Sequence, residues 1–411
     1  MTTEINIELD KKSKGNENEI TFDIRGNQES GLDKSIVNGL RRVLLSSIPT
    51  VAFSTKIDNS DITIKKNDSP LHNEFLQDRI GLIPLYINPL DYQKQYLFRL
   101  QVENNPSEPV TTITANHFDI YPLKKDVDPA KLETFDINDY DHENKLSQKE
   151  KAEIYRPFKF RGKEEYCIIT ELKSLSSSTK QSIDLYGVPS VSYAYEDAKW
   201  QAVSCATYSF KRDEKLFDNI LEKKIKLNSI AKSNQAKFKK ELSISESERY
   251  FHRDKNLEPY WYSFKLDSVH FMKSKELFMY ANELMIEALE KMIQEFPKLS
   301  SGDKSILSLK EKEDGIFDII VNGIDDTIGN LLQSNISKKI DDKSILSICG
   351  YKKRHPLEEI VVFTISLNQN NKVFHLNKPQ QIVSIIELFI ESCNDLIQVF
   401  SLIKKEADEK L

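Results

Sequence analysis

Hydrophobic and polar positions alternate at the start of the chain. In residues 4–9 (Glu-Ile-Asn-Ile-Glu-Leu) and 20–24 (Ile-Thr-Phe-Asp-Ile) the apolar side chains recur every second position, the period of strands with one buried face. Polar residues 11–19 read as the loop of a hairpin. The period then changes. Ile36, Val37, Leu40, Val43, Leu44 and Ile48 recur at steps of three and four, which predicts a helix over about 33–48. Asp33 is placed to cap it and Pro49 to end it. Strand spacing returns over 51–64, a short helix is expected at 71–80, and strand-like runs follow at 96–102, 110–120, 165–172, 182–186 and 200–210.

The middle of the chain is less regular. Residues 124–152 are polar and acidic and read as a surface excursion, whereas 213–249 read as exposed and mostly helical. Trp261-Tyr-Ser-Phe-Lys-Leu266 is strand-like. A long helix is predicted at about 274–296, with Leu277, Ala281, Leu284, Ala288 and Met292 along one side. Pro297 to Gly315, rich in Ser, Lys, Asp and Glu, reads as a linker. Beyond it the plan repeats on a smaller scale: strand 316–322, helix 326–339, strands 345–350 and 359–367, and a last helix from about 379. In that helix Ile382, Ile385, Phe389, Cys393, Leu396, Phe400 and Ile403 form a stripe suited to packing along another helix, and the 274–296 helix is the natural partner.

One phrase occurs twice. Asp33-Lys-Ser-Ile-Val-Asn-Gly-Leu40 and Asp325-Asp-Thr-Ile-Gly-Asn-Leu-Leu332 align without gaps, sharing Asp, a hydroxyl residue, Ile, Asn and Leu. Each follows a strand-like stretch and opens a helix. The fold class this implies is α+β, with two related halves, each a sheet with long helices.

Composition narrows the chemistry. The chain has 411 residues, 39% hydrophobic and 30% charged, and a net charge of −6. That length suits two or three domains, and the acidic balance is unlike that of a protein devoted to gripping phosphate backbones. Cys167, Cys205, Cys349 and Cys393 are far apart and offer no metal-site spacing. No basic-then-apolar leader and no apolar run of the ~20 residues that span a bilayer is visible. The abundance of Lys, Asn and Ile with only 12 Gly suggests an AT-rich genome. No nucleophile–base pair, Gly-rich phosphate loop or Asp-x-Asp-x-Asp triad is present, so no catalytic, metal-binding or cofactor-binding residue is expected, and His355 reads as structural. The lysines between 223 and 240 read either as a solvated face or as a nucleic-acid patch.

Longer motifs carry a resemblance. Asn67-Asp-Ser-Pro-Leu-His-Asn-Glu-Phe-Leu-Gln-Asp-Arg-Ile-Gly-Leu-Ile-Pro-Leu85 resembles the signature of the alpha-like components of multisubunit RNA polymerases: the archaeal D-type subunit, the third subunit of eukaryotic RNA polymerase II and the bacterial alpha N-terminal domain. Asn38-Gly-Leu-Arg-Arg-Val-Leu-Leu45 is similar to their Asn-x-Leu-Arg-Arg segment, and Gly187 with Glu196-Asp-Ala-Lys-Trp200 to their Gly…His-Ala-Lys-Trp segment. The C-terminal part resembles their partner, the archaeal L-type subunit or the eleventh subunit of polymerase II, through Asp325–Leu332 and Cys349-Gly-Tyr-Lys-Lys-Arg-His-Pro-Leu357. Asp78, Asp197 and Asp326 stand at family His positions, and the four-Cys cluster of some members is absent.

The resemblance implies an intrachain pseudo-heterodimer of two alpha-like dimerisation domains, the first interrupted by a mainly β insert. The expected bounds are 1–63 with 250–300 for the first domain, 64–249 for the insert, 301–312 for a linker and 313–411 for the second domain. It implies a non-catalytic assembly platform of a DNA-directed RNA polymerase. The partners would be the two largest subunits and small platform subunits, with DNA and RNA contacted only indirectly, no membrane and no cofactor. Such a fusion is similar to what large cytoplasmic DNA viruses carry, which implies host cytoplasm and virion; a cellular version would be nuclear. Candidate contacts to the large subunits are Arg41 and Arg42, Glu74 and Arg79, and Lys199 and Trp200. The arginines could equally form surface ion pairs, and Glu74 and Arg79 could pin 71–85 to its own sheet. Leu277, Leu284, Met292, Phe389, Leu396 and Phe400 are expected to pair the two long helices. The competing function is a free-standing nucleic-acid-binding or transcription accessory protein using the 223–240 lysines; an enzyme has no motif behind it.

Overall fold

The computed structural model describes residues 4–13, 15–29, 31–56, 59–105, 107–123, 144–173, 180–301 and 306–411. In chain order the helices are α1 (Lys34–Ser46), α2 (Asn73–Gly81), α3 (Gln148–Ile154), α4 (Glu214–Leu227), α5 (Lys232–Ser245), α6 (Ser274–Glu295), the single turn α7 (Lys298–Ser301), α8 (Asp326–Lys338) and α9 (Lys378–Lys410). The chain falls into two compact units. One comprises Met1–Leu44, Cys205–Asp267 and Ser274–Leu411; the other comprises Leu45–Ser204 with Ser268–Lys273.

The first unit holds two copies of one plan. A four-stranded sheet runs in the order Asn6–Leu9, Glu19–Arg25, Trp261–Ser268, Val203–Phe210. The alternation read from the sequence decides its faces: Ile20, Phe22 and Ile24 point inward beside Tyr262, Phe264 and Leu266, all buried. Phe22 stacks on Phe264 at 5.4 Å and meets Phe278 of α6 edge-on at 4.9 Å. The second sheet has the order Leu307–Glu313, Ile316–Asn322, Ile360–Leu367, Leu346–Lys353, and its neighbouring strands are all antiparallel. Phe317, Ile319, Val361, Phe363 and Ile365 form its buried face.

The two copies meet along their long helices, and α6 and α9 run antiparallel. Lys275 near the start of α6 donates to the Asp408 carbonyl near the end of α9, at 2.7 Å. Glu283 pairs with Lys404 at 2.6 Å, and Phe296, just past α6, packs on Phe389 at 5.3 Å. The buried positions of α9 step by three and four through Ile385, Phe389, Cys393, Leu396, Phe400, Ile403 and Ala407, the spacing that keeps one stripe against a partner. On α6 the buried side is Leu277, Phe278, Ala281, Asn282, Met285, Leu289 and Met292; Leu284 and Ala288 lie half-buried at its margin.

Residues 307–313, part of the expected linker, are instead the edge strand of the second sheet. Leu307 and Leu309 alternate with polar residues and pair with Val321 and Ile319, but the charged residues of the same strand mask that period. Residues 302–305 of the expected linker lie outside the described residues, as do 124–143 of the acidic excursion. The rest of that excursion contains α3. Its start is a reciprocal cap in which Ser147 and Glu150 each accept the other's backbone N–H, a Ser-x-x-Glu signal visible in the sequence. The 110–120 run is broken too: Val110–Thr114 and Asp119–Pro122 are separate strands divided by a turn at Ala115–His117. The 213–249 region is helical, as expected. The α4–α5 hairpin has a small core of its own, Phe217, Leu221, Leu242 and Tyr250.

The second unit is built on a sheet ordered Ile62–Asn67, Ser182–Gly187, Tyr96–Glu103, Asp119–Pro122. Phe53, Phe98, Phe118 and Tyr155 form an aromatic cluster in its core, and Leu76 and Ile80 anchor α2 to the same core. His270 ties the 268–273 segment to this unit. Its Nε2–H donates to the Pro49 carbonyl at 3.0 Å and its Nδ1 accepts from Met272 N–H at 3.0 Å, which requires the neutral Nε2-protonated ring. Burial pulls its pKa down to about 4.

Phe389 touches both Phe296 and Phe363 and is fully buried. Phe389→Ala is therefore expected to cost about 3–5 kcal/mol. A urea unfolding midpoint unchanged by the substitution would contradict the pairing described here.

Candidate assembly interface

The repeated phrase builds a contact between the two halves of the first unit. Asp33 Oδ1 accepts from Ser35 N–H at 2.8 Å, and Asp325 Oδ1 accepts from Thr327 N–H at 2.9 Å. Each bond satisfies one of the backbone donors that a helix start leaves unpaired. The other oxygen of each carboxylate reaches the opposite helix. Asp33 Oδ2 accepts from Ser334 Oγ at 2.5 Å and from Lys338 Nζ at 2.9 Å, both on α8. Asp325 Oδ2 accepts from Arg42 on α1 at 3.1 Å, and the Arg42 Nε–H donates to Thr327 Oγ1 at 2.8 Å. Gly39 allows the helices to approach here; a Cβ at that position would sit 3.3 Å from Met285 Cε and 3.6 Å from Thr327 Cγ2.

These carboxylates are held in their charged form. Burial alone would raise Asp33, but Lys338, the Ser334 hydroxyl and the Ser35 amide outweigh it and lower its pKa. Burial likewise opposes ionisation of Asp325, and Thr327 and Arg42 lower its pKa. The two are not equal in worth. Asp33 has 13% of its side chain exposed, whereas Arg42 and Asp325 are each 40% exposed, where solvent screening holds an ion pair to about 1 kcal/mol or less. Arg41, the neighbour of Arg42, gives its Nε–H to Asn38 Oδ1 at 3.0 Å.

In the second unit the 71–85 signature and the 196–200 segment come together. Lys199, with only 6% of its side chain exposed, donates to Thr55 Oγ1; Thr55 in turn donates to Asp78 Oδ1 of α2 at 2.8 Å. Asp197 Oδ2 lies 3.5 Å from the same ammonium. Asp197 directly, and Asp78 through Thr55, thus converge on one lysine, a convergence that no local pattern announces. Trp200 is buried. Arg79 donates to the Ile168 carbonyl at 2.9 Å, and Glu74 is exposed, 3.8 Å from His72. On the outer side of α2 and at its C-terminal cap, Phe75 and Leu82 are 66% and 65% exposed. Being seven residues apart they share a helix face, and neither is among the residues singled out from the sequence.

The lysines of the α4–α5 hairpin are partly neutralised within it. Lys224 binds Glu246, Lys239 binds Asp218 and Lys237 lies 3.9 Å from Glu241. His355 Nδ1 accepts from Leu357 N–H at 3.2 Å, closing the His-Pro-Leu turn. Cys349 and Cys393 are buried, and burial pushes each thiol up to about 12. Among the described residues no group of His, Cys, Asp and Glu is placed to hold a metal ion, and no helix is long and apolar enough to cross a membrane.

Comparison with known proteins bears on the paired halves. The RNA polymerase Rpb3/Rpb11 dimerisation domain matches residues 28–296, more than half of the chain, and a second domain of that description matches 317–406. The chain belongs to the Rpb3/Rpb11 family. Its two dimerisation domains make it an alpha-like fusion of a D-type and an L-type half. The first match spans a long region, consistent with an insert. Similar relatives include the Rpo3 subunit of DNA-directed RNA polymerase from Pyrobaculum arsenaticum, 26% identical over 118 residues that cover 25% of this chain and 43% of the relative. The RPAC1 subunit of RNA polymerases I and III from Homo sapiens is 33% identical over 81 residues, 19% and 20% of the two chains. The third subunit of RNA polymerases II, IV and V from Arabidopsis thaliana is 45% identical over 53 residues, 13% and 15%. The Rpb3/Rpb11-type chain therefore spans less than half the length of these relatives.

Both cap carboxylates have lowered pKa values. Their contribution to the stability of this Rpb3/Rpb11 unit is therefore complete above the unfolded value of about 3.9 and lost as pH falls through the lower folded values. The Asp33→Asn/Asp325→Asn variant should be less stable than the parent by about 1–3 kcal/mol at pH 7, with the gap closing between about pH 5 and pH 2. Urea midpoints across that range check it; a gap independent of pH would refute the ionic contribution.

Proposed function

We propose that this chain is a non-catalytic assembly platform of a multisubunit DNA-directed RNA polymerase, on which the two largest subunits dock and small platform subunits join. The observation that carries the reading is the pairing of D-type and L-type halves within one unit, through α6 against α9 and the caps of α1 and α8. Joining the halves covalently replaces a bimolecular encounter by an intramolecular one, with an effective concentration of order millimolar for a short flexible linker. DNA and RNA are contacted only indirectly. The internal neutralisation of the α4–α5 lysines supports this reading over free-standing nucleic-acid binding.

For the docking surface we favour Arg41 on α1 and, separately, the outer face of α2, where Glu74 and Arg79 lie among exposed Phe75 and Leu82. Exposed aromatic and aliphatic side chains beside an arginine have the composition of an interface core. Lys199 would act from behind by holding Asp78 through Thr55. The fusion and the Lys-, Asn- and Ile-rich composition support an origin in a large DNA virus, with the protein in host cytoplasm and virion.

Affinity purification of the tagged native protein, with partners identified by mass, should recover two polymerase-sized chains; their absence would sink the platform reading. The Arg41→Ala/Arg79→Ala variant should keep its circular dichroism and lose about tenfold or more of the recovered large subunits, the loss of one to two interface anchors. Undiminished recovery would exclude these residues from the docking surface.

A further inference from the structure

We infer that Asp33 and Asp325 form a reciprocal register lock between the two halves, in which each carboxylate caps its own helix with one oxygen and holds the facing helix with the other, an oxygen that in Asp325 also accepts from its own Thr327 hydroxyl at 2.7 Å. The geometry is that of a twofold contact made inside one chain. Residue 33 touches residue 334, and the equivalent residue 325 touches residue 42; in each case the partner lies nine positions beyond the facing aspartate. Mutual contact of equivalent positions is the mark of an isologous interface, so the repeated aspartate marks the pairing element as well as the helix start.

Capping alone does not account for the arrangement. A cap needs one acceptor, which Ser or Asn supplies as well as Asp. Only a carboxylate offers a second oxygen of full acceptor strength to a cation on another helix. The two contacts also sit at opposite ends of the α1–α8 pair, so together they fix both the offset and the tilt of the helices, whereas one would leave a pivot. The apolar seam between α6 and α9 cannot do this alone. Hydrophobic burial is non-directional, and α9, with 33 residues against 22 in α6, carries its stripe at steps of three and four, so displacement by a heptad would still set apolar against apolar. A shift of one helical turn, about 5.4 Å, breaks both carboxylate contacts at once.

The two branches differ in their cations. Arg42 occupies its place on α1, while the equivalent position on α8 is Ser334 and the cation is Lys338, one turn further on. The lock is thus specific to this pair of halves in its details while symmetric in its plan.

A site-specific protease site inserted between Ser301 and Ile306 of the full chain, cut after purification, makes the pairing measurable as dissociation of the halves. Asp325→Asn and Arg42→Met should each speed dissociation about three- to fivefold, and the two together by clearly less than the product of the single effects. The same pattern is expected for Asp33→Asn with Lys338→Met. Because Asn retains the cap, single variants within twofold of the parent would reduce the aspartates to caps and overturn the lock; so would effects that multiply in the double variants. Amide exchange in α1 and α8 of the uncut chain gives the same test without cleavage, with faster exchange and the same non-additivity expected, and parental or multiplicative rates overturning the proposal.

Discussion

Neither half of the first unit can bury its long helix alone. Each half sets one shorter and one long helix on a sheet, the first also carrying the α4–α5 hairpin, and a sheet of four short strands covers only part of a helix of 22 or 33 residues. The apolar stripes of α6 and α9 complement each other, and their mutual burial follows from the same non-directional force that builds any core. The rest of the arrangement is fitted around that seam. The sheets lie outside it, and Phe278 and Phe389 extend it into them through Phe22 and Phe363.

An apolar seam is strong but indifferent to exact alignment, and the polar contacts supply what it lacks. Asp33 and Asp325 do not add much energy beside the buried phenylalanines. Their value lies in directionality, since a hydrogen bond fails outside a narrow range of distance and angle. The arginine pair of the α1 motif divides accordingly. Arg42 is turned toward Asp325 and Thr327, and Arg41 toward Asn38. A side chain engaged between the halves can still matter to a larger assembly, because it sets the surface that the assembly meets.

The second unit follows a different logic. Its core is aromatic and its signature helix α2 is held by Leu76 and Ile80 from below, which leaves Phe75 and Leu82 outward. That outward apolar pair is the feature on which the docking proposal for α2 rests. The buried ammonium of Lys199 has its needs met by Thr55 and Asp197, so it supports the fold locally rather than presenting charge at the surface.

Much of this is legible from one dimension. The helix starts at Asp33 and Asp325, the strand alternation around Phe22 and Phe264 and the stripe of α9 are local facts, because a cap, a pleat and a helical turn each involve residues only two to four apart. The repeat and the longer motifs carry the family. Where local reading fails, the local signal is itself mixed: charges in 307–313 hide a strand, and the Ser147–Glu150 box lies inside a polar, acidic stretch. The second oxygen of each cap is beyond reach. Arg42 and Asp325 are 283 residues apart, and Thr55 and Lys199 are 144 apart; periodicity says nothing at such separations. The chain by itself therefore determined its elements, its duplication and its family. Which side chain faces which across the helices was decided only by the packed structure, because the directional bonds form after the apolar seam has brought them within reach.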